Sequence, residues 1–126
     1  MRPTAIKLRT QSHVLEVSFD DGSCFELPFE YLRVYSPSAE VRGHGAGQET
    51  LQIGKQNVQI AKVEPVGHYA VRLVFDDGHD SGLYTWAYLH ELGSEQPTKW
   101  QHYLARLADL GISYPTLTAP VIAARK

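Results

Sequence analysis

Two clusters of side chains in this sequence could do chemistry. The denser is Asp76-Asp77-Gly78-His79-Asp80, an imidazole set among carboxylates at a turn. Neighbouring negative charge raises a histidine's tendency to hold a proton. One ring nitrogen could also bind a metal while a carboxylate orients the other. The same string equally suits a solvated hairpin turn, because Asp and Gly take up turn backbone geometry on their own account. The second cluster runs from Arg33 to His44 and gathers the cations Arg33 and Arg42, the hydroxyls of Ser36 and Ser38 and the imidazole His44. Long ordered loops of such mixed character often carry function. Ser36 and Ser38 could instead cap a short helix beginning near Pro37.

Motifs of better-defined chemistry are missing. No pair of the six histidines has the spacing of a zinc-binding helix, and a lone cysteine, Cys24, excludes both a Cys-x-x-Cys pair and an internal disulfide. There is no Gly-x-Ser-x-Gly elbow and no phosphate-binding glycine loop. The run Gly43-His44-Gly45-Ala46-Gly47 is glycine-rich, but no helical pattern follows it. Cys24 falls in an inferred strand, where a small buried thiol is expected rather than a reactive one.

These clusters must be held by the elements around them. Residues 5–9 and 13–19 alternate as strands, with His13, Leu15, Val17 and Phe19 on one face. Asp20-Asp21-Gly22 supplies a hairpin turn and residues 23–27 return. Pro28 stops the sheet and opens a short helix from Phe29 to Val34. Residues 36–48 read as loop. Residues 58–66, 69–75 and 81–84 are strands around the turn at Asp76-Asp77-Gly78. Thr85 caps a helix that Gly93 ends, and Pro97 opens a last amphipathic helix with Trp100, Tyr103, Leu104, Leu107 and Leu110 on one face, closed by Gly111. Trp86, Tyr88 and Trp100 lie on apolar faces and are expected in the core.

Val17-Ser18-Phe19-Asp20-Asp21-Gly22 aligns with Leu73-Val74-Phe75-Asp76-Asp77-Gly78 at an offset of 56 residues (78 − 22), and each copy leads to a helix carrying Tyr-Leu. Internal duplication explains this, as does the common preference of hairpins for Asp-Gly. The predicted fold class is α+β: a pseudo-duplicated antiparallel β-sheet of β-β-α units packed with short helices and a C-terminal helix. Residues 1–114 are expected to form the domain and 115–126 a flexible tail.

With 126 residues, 43% hydrophobic and 21% charged, the chain has the size and balance of one folded domain. A net charge of −2, a pI near 6.3 and scattered Lys and Arg argue against a nucleic-acid partner. No apolar run approaches the ~18 residues of a membrane span. The start lacks the apolar stretch of a secretory signal, so a cytoplasmic location is expected.

Residues 31–45 (YLRVYSPSAEVRGHG), 64–71 (EPVGHYAV) and 75–86 (FDDGHDSGLYTW), in that order, closely resemble small bacterial proteins of the gamma-butyrobetaine hydroxylase-like N-terminal domain family. The resemblance covers roughly residues 5–112. In that family the domain stands alone, is appended to ATPases of the iron–sulfur cluster carrier type, or precedes the catalytic domain of gamma-butyrobetaine and trimethyllysine dioxygenases. There it is non-catalytic and holds a structural zinc through three cysteines and a histidine. The zinc-binding form reads Trp-Leu-Arg-Asp-Asn-Cys-x-Cys-x-x-Cys. Here Tyr31-Leu32-Arg33 keeps the opening, the cysteine positions fall on Ser36, Ser38 and Val41, and the histidine is retained as His79. Hydroxyls are poor zinc ligands and valine is none, so the resemblance does not carry the zinc to this chain.

The resemblance further implies that Ser36, Ser38 and His79 converge, with Arg33, Arg42, His44 and Asp80 around them. The expected function is a non-catalytic binding or accessory module with a protein partner, an iron–sulfur carrier ATPase being the candidate, linked to iron–sulfur cluster or metal handling. No cofactor is expected, a metal ion being the one candidate. A competing reading is a metal-binding protein using His79 with His44 and carboxylates such as Asp77 or Asp80. A third is a small enzyme with His79 as its acid–base group, although no nucleophile or oxyanion device shows in the sequence.

Overall fold

In the computed structural model, which describes residues 1–42, 50–112 and 114, the alternating stretches form two antiparallel three-stranded sheets. The first consists of β1 (Pro3–Arg9), β2 (Val14–Phe19) and β3 (Cys24–Pro28) in that order. The helices α1 (Phe29–Val34) and α2 (Ala39–Arg42) follow it. The second consists of β4 (Ile60–Val66), β5 (Ala70–Phe75) and β6 (Leu83–Thr85), followed by α3 (Trp86–Ser94) and α4 (Gln96–Asp109). The fold class is the α+β arrangement read from the sequence, with the β-structure divided into two meanders.

The repeat in the sequence is a repeat in the backbone. Phe19 N–H donates to Ser23 O at 2.8 Å, and Phe75 N–H to His79 O at 2.9 Å. Asp20 N–H reaches back to Arg2 O and Asp76 N–H to Gln59 O, both at 2.9 Å. Gly22 and Gly78 sit at φ +89° and +91°, a region side chains disfavour, which explains the glycine after each Asp-Asp. Even the irregularity recurs, as a register shift between Pro3 and Ala5 opposite Phe19 and another between Ile60 and Lys62 opposite Phe75.

Period-2 burial decides the core. Leu15, Val17 and Phe19 of β2 face inward with Val71, Leu73 and Phe75 of β5, and α1 and α3 add Phe29, Tyr31, Leu32, Leu89 and Leu92. Each such side chain contributes roughly 1.5–3 kcal/mol by leaving water. Buried tyrosines then pin α1 to the second half. Tyr31 Oη donates to Leu92 O at 2.6 Å, Tyr84 Oη to Leu32 O at 2.5 Å and Tyr88 Oη to Tyr35 O at 2.6 Å. Burial pushes all three phenols up, so they remain donors. At the far end Tyr103 and Tyr114 both donate to the buried Glu30, whose carboxyl is raised by burial against the lowering effect of the two phenols.

Several local expectations are corrected. His13 is not in the strand; it takes φ +58° in the β1–β2 turn and its carbonyl accepts the Phe29 N–H. The predicted loop over 36–48 contains α2 within its described part. α3 passes through Gly93 to Ser94, because the absent side chain there lets the Phe25 ring lie against the helix; a Cβ would collide with it. Thr85 caps α3 as read, with Tyr88 N–H donating to its Oγ1 at 3.1 Å. Leu110 is 61% exposed as the C-cap of α4 rather than on its buried face. Trp86, Tyr88 and Trp100 are half-buried, packed against the core rather than within it. Cys24 is exposed on the edge strand β3, its sulfur accepting from Ser18 Oγ at 3.3 Å.

Candidate functional site

The two clusters found in the sequence meet. The segment between α1 and α2 and the loop between β5 and β6 are drawn against each other by one imidazole. Ser36 Oγ lies 2.7 Å from His79 Nε2, and His79 Nδ1 lies 3.2 Å from Glu40 Oε1. A proton on Nδ1 serves the carboxylate, so Nε2 accepts from the serine hydroxyl. Burial and the nearby Arg33 depress the basicity of His79 more than Glu40 and Asp77 raise it, which keeps the ring in this neutral form. The expectation that its carboxylate neighbours would favour the proton is therefore reversed.

The rest of the network closes around that contact. Ser38 N–H donates to Ser36 Oγ at 3.2 Å, and the Ser38 hydroxyl meets Ser81 Oγ at 2.7 Å. Ser81 Oγ donates to Glu40 Oε1 at 3.2 Å. Ser38 also caps α2, accepting from Glu40 N–H at 3.2 Å, so the capping role and the convergent site coincide. Val41, at the third cysteine position, is a buried apolar residue.

Arg33 braces this from below. Its Nε donates to Asp77 Oδ2 at 2.9 Å and its Nη1 to Gln52 Oε1 at 2.9 Å, while Lys55 Nζ reaches the same Asp77 oxygen at 2.7 Å. The other oxygen of Asp77 accepts the His79 N–H at 3.1 Å, fixing the loop that carries the imidazole. Burial pushes the Asp77 carboxyl up, but Lys55, the His79 amide and Arg33 outweigh it and hold it at about 2. Asp21 in the equivalent first turn is also held at about 2, chiefly by Ser23, and pairs with His90 of α3 at 2.9 Å. The turn of each half thus grips a helix of the other.

Of the residues singled out in the sequence, Arg33, Ser36, Ser38 and His79 come together. Asp80 does not join them; it turns toward Arg72 at 3.5 Å. Arg42 points away over the Tyr88 ring, 4.8 Å from its centroid. His44 lies outside the described residues. Glu40, Ser81 and Gly82 are participants that sequence reading missed as members of this network. Glu40 lies within the second cluster and Ser81 directly follows the first, a signal that was available. Gly82 is legible only in three dimensions: a Cβ there would stand 2.5 Å from Ser36 Oγ.

Ser36, His79 and Glu40 have the connectivity of a hydrolase relay, but the hydroxyl is not placed to attack. Ser36 is 1% exposed, its oxygen already accepts the Ser38 amide, and Gly82 is pressed against it. A nucleophile needs space for the acyl group beside it and donors aimed at the resulting oxyanion. Nor do these residues suit the zinc of the dioxygenase domains. Two hydroxyls, an isopropyl group and one imidazole lack the thiolates of that site, and among the described residues no three His, Cys, Asp or Glu side chains gather as metal donors.

Beside the network opens a cleft of about 740 Å³, bordered by α2 and residues 50–51 on one side and by α3 and α4 on the other. Tyr35 and Tyr88 contribute their rings to it, and Val34, Val41 and Leu51 their apolar surface. Among the described residues, no helix is long and apolar enough to cross a membrane.

The model of the family described as gamma-butyrobetaine hydroxylase-like, N-terminal, matches residues 6–90. A solution NMR structure is 51% identical, covers 89% of this chain and 88% of its own, and superposes with a TM-score of 0.76. A second NMR structure is 54% identical over 89% of this chain and 83% of its own, also with a TM-score of 0.76. A crystal structure of a protein of unknown function from Acidithiobacillus ferrooxidans is 41% identical over 75% of this chain and 94% of its own, with a TM-score of 0.63. No curated protein matches the chain.

Proposed function

We infer that this chain, which belongs to the gamma-butyrobetaine hydroxylase-like N-terminal domain family, is a non-catalytic docking module serving iron–sulfur cluster or metal handling. The observation that carries this reading is the inward closure of the Ser36–His79–Glu40 network. The side chains that resemble a reactive centre spend their donors and acceptors on one another. They join two loops, as a metal does in the zinc-bearing relatives, and so hold the walls of the adjoining cleft. A surface held in this way suits recognition, where preorganisation reduces the entropy lost on binding.

The partner class follows from the family resemblance. The family resemblance associates the domain with ATPases of the iron–sulfur carrier type, so such an ATPase is the partner to test. The pairing can be tested directly. The tagged chain is used to capture partners from native cell extract and is separately mixed with the purified carrier ATPase on a sizing column. Co-elution is the expected result. Separate elution, with no specific partner captured, overturns the reading. Elemental analysis of untagged protein supplies a second check. One zinc or iron per chain, lost in His79→Ala, would establish instead a metal protein built on His79 with His44 and Asp77 or Asp80.

A further inference from the structure

We propose that the cleft between α2 and the α3–α4 pair binds an acidic, leucine-bearing linear segment of a partner protein. This rests on the docking-module reading and adds the chemistry of what docks. Three cations line the cleft, Arg42 of α2 and Lys99 and Arg106 of α4, and the first two are each held by an aromatic ring. The Arg42 guanidinium of α2 stands 4.8 Å from the centroid of Tyr88, and Lys99 Nζ of α4 stands 5.3 Å from that of Tyr35. The two rings are themselves tied, since Tyr88 Oη donates to Tyr35 O at 2.6 Å. A cation over a ring is positioned without being neutralised, so its charge stays available to an anion.

The pairing of these cations points the same way. Among the described residues no ion pair engages Arg42, while Lys99 has Glu91 and Glu95 only at 3.6 and 3.7 Å, too far for hydrogen bonds. Glu91 and Glu95 give the α3 edge its own negative charge, so Lys99 draws an anion less strongly than Arg42 does. Between the charges the floor is apolar, formed by Val34, Val41 and Leu51. A bare inorganic anion would leave that floor wet. A peptide alternating carboxylate and aliphatic side chains covers the floor and meets the cations together.

The ¹⁵N-labelled chain is titrated with the blocked peptide acetyl-Ala-Glu-Leu-Glu-Leu-Ala-amide and with its glutamine counterpart. Amide shifts centred on Arg42, Tyr88 and Lys99 are expected. Affinity should fall at least ~5-fold for the glutamine peptide, at high salt, and in the Arg42→Gln/Lys99→Gln variant. Equal binding of the two peptides by the wild-type chain overturns the proposal without reliance on the variant's folding, as do shifts centred on another face. Partner capture separates the two readings. If wild-type and variant chains capture the same partner equally, the cleft proposal fails and the docking module stands. If the wild-type chain captures none, both fail.

Discussion

Truncating His79 to alanine is the sharpest test of the idea that its imidazole is a structural bridge. The ring is buried and accepts from a hydroxyl that is 1% exposed. Removing it leaves Ser36 Oγ without its acceptor in a place water does not reach, at a cost of about 1–3 kcal/mol. The vacated volume adds about 1–2 kcal/mol, because the surrounding loops relax only in part. Release of Glu40 contributes little, since that side chain is 72% exposed and its attraction is screened. The expected loss is therefore about 3 kcal/mol. It would be read in urea denaturation as a lower midpoint at unchanged slope. A double-mutant cycle with Ser36→Ala should return a coupling of about 1 kcal/mol, because the second truncation removes the orphaned hydroxyl. A loss below about 1 kcal/mol, or additive single costs, would refute the bridging role.

Other outcomes follow from the same geometry. Gly82→Ala should cost about 1–3 kcal/mol in the same denaturation experiment, because the new methyl meets Ser36 Oγ at 2.5 Å and pushes that hydroxyl off its contact with His79. Stability should decline as pH falls below about 6.5, the ordinary histidine value, toward the lower folded value of His79. The unfolded chain binds the proton first in that window, so protonation favours unfolding; denaturation midpoints between pH 7 and 5 check this, and His79→Gln should flatten that part of the profile. A fluorophosphonate probe should leave Ser36 unlabelled by intact-mass analysis, and stoichiometric labelling would restore the enzyme reading. The triple variant Ser36→Cys, Ser38→Cys, Val41→Cys should gain about one tightly held zinc per chain beside His79, by elemental analysis. Failure of a folded triple variant to do so would mean that these positions do not share one centre.

Much of the fold was legible because two local signals agreed. Period-2 apolar patterning set β2 and β5, and the Asp-Asp-Gly turns fixed where each hairpin reversed. α1 was readable from Phe29 to Val34 because Pro28 limits its start and the loop limits its end. Misreadings arose where tertiary packing overrode a local rule. Gly93 looks like a helix terminator until Phe25 is seen to need that space, and Leu110 continues a helical stripe past the point where anything remains to cover it. Ser36 and His79 were brought together by resemblance, since 43 residues separate them and no spacing rule joins them. The neutral state of His79 was hidden for a related reason. Flanking carboxylates are visible in sequence, whereas the burial and the Arg33 charge that outweigh them come from the fold.

The reciprocal grip of the two halves bears on how the chain comes apart. Asp21 of the first turn holds His90 of α3, while Asp77 of the second holds Arg33 of α1, and Tyr31 and Tyr84 exchange hydrogen bonds across the same boundary. Neither meander owns a complete hydrophobic face, so melting one strips the other of its cover. Calorimetry should record a single transition, without a half-molten species. Two peptides divided after the first helix pair should each be unstructured alone and regain order only on being mixed, like clasped hands that have no shape apart.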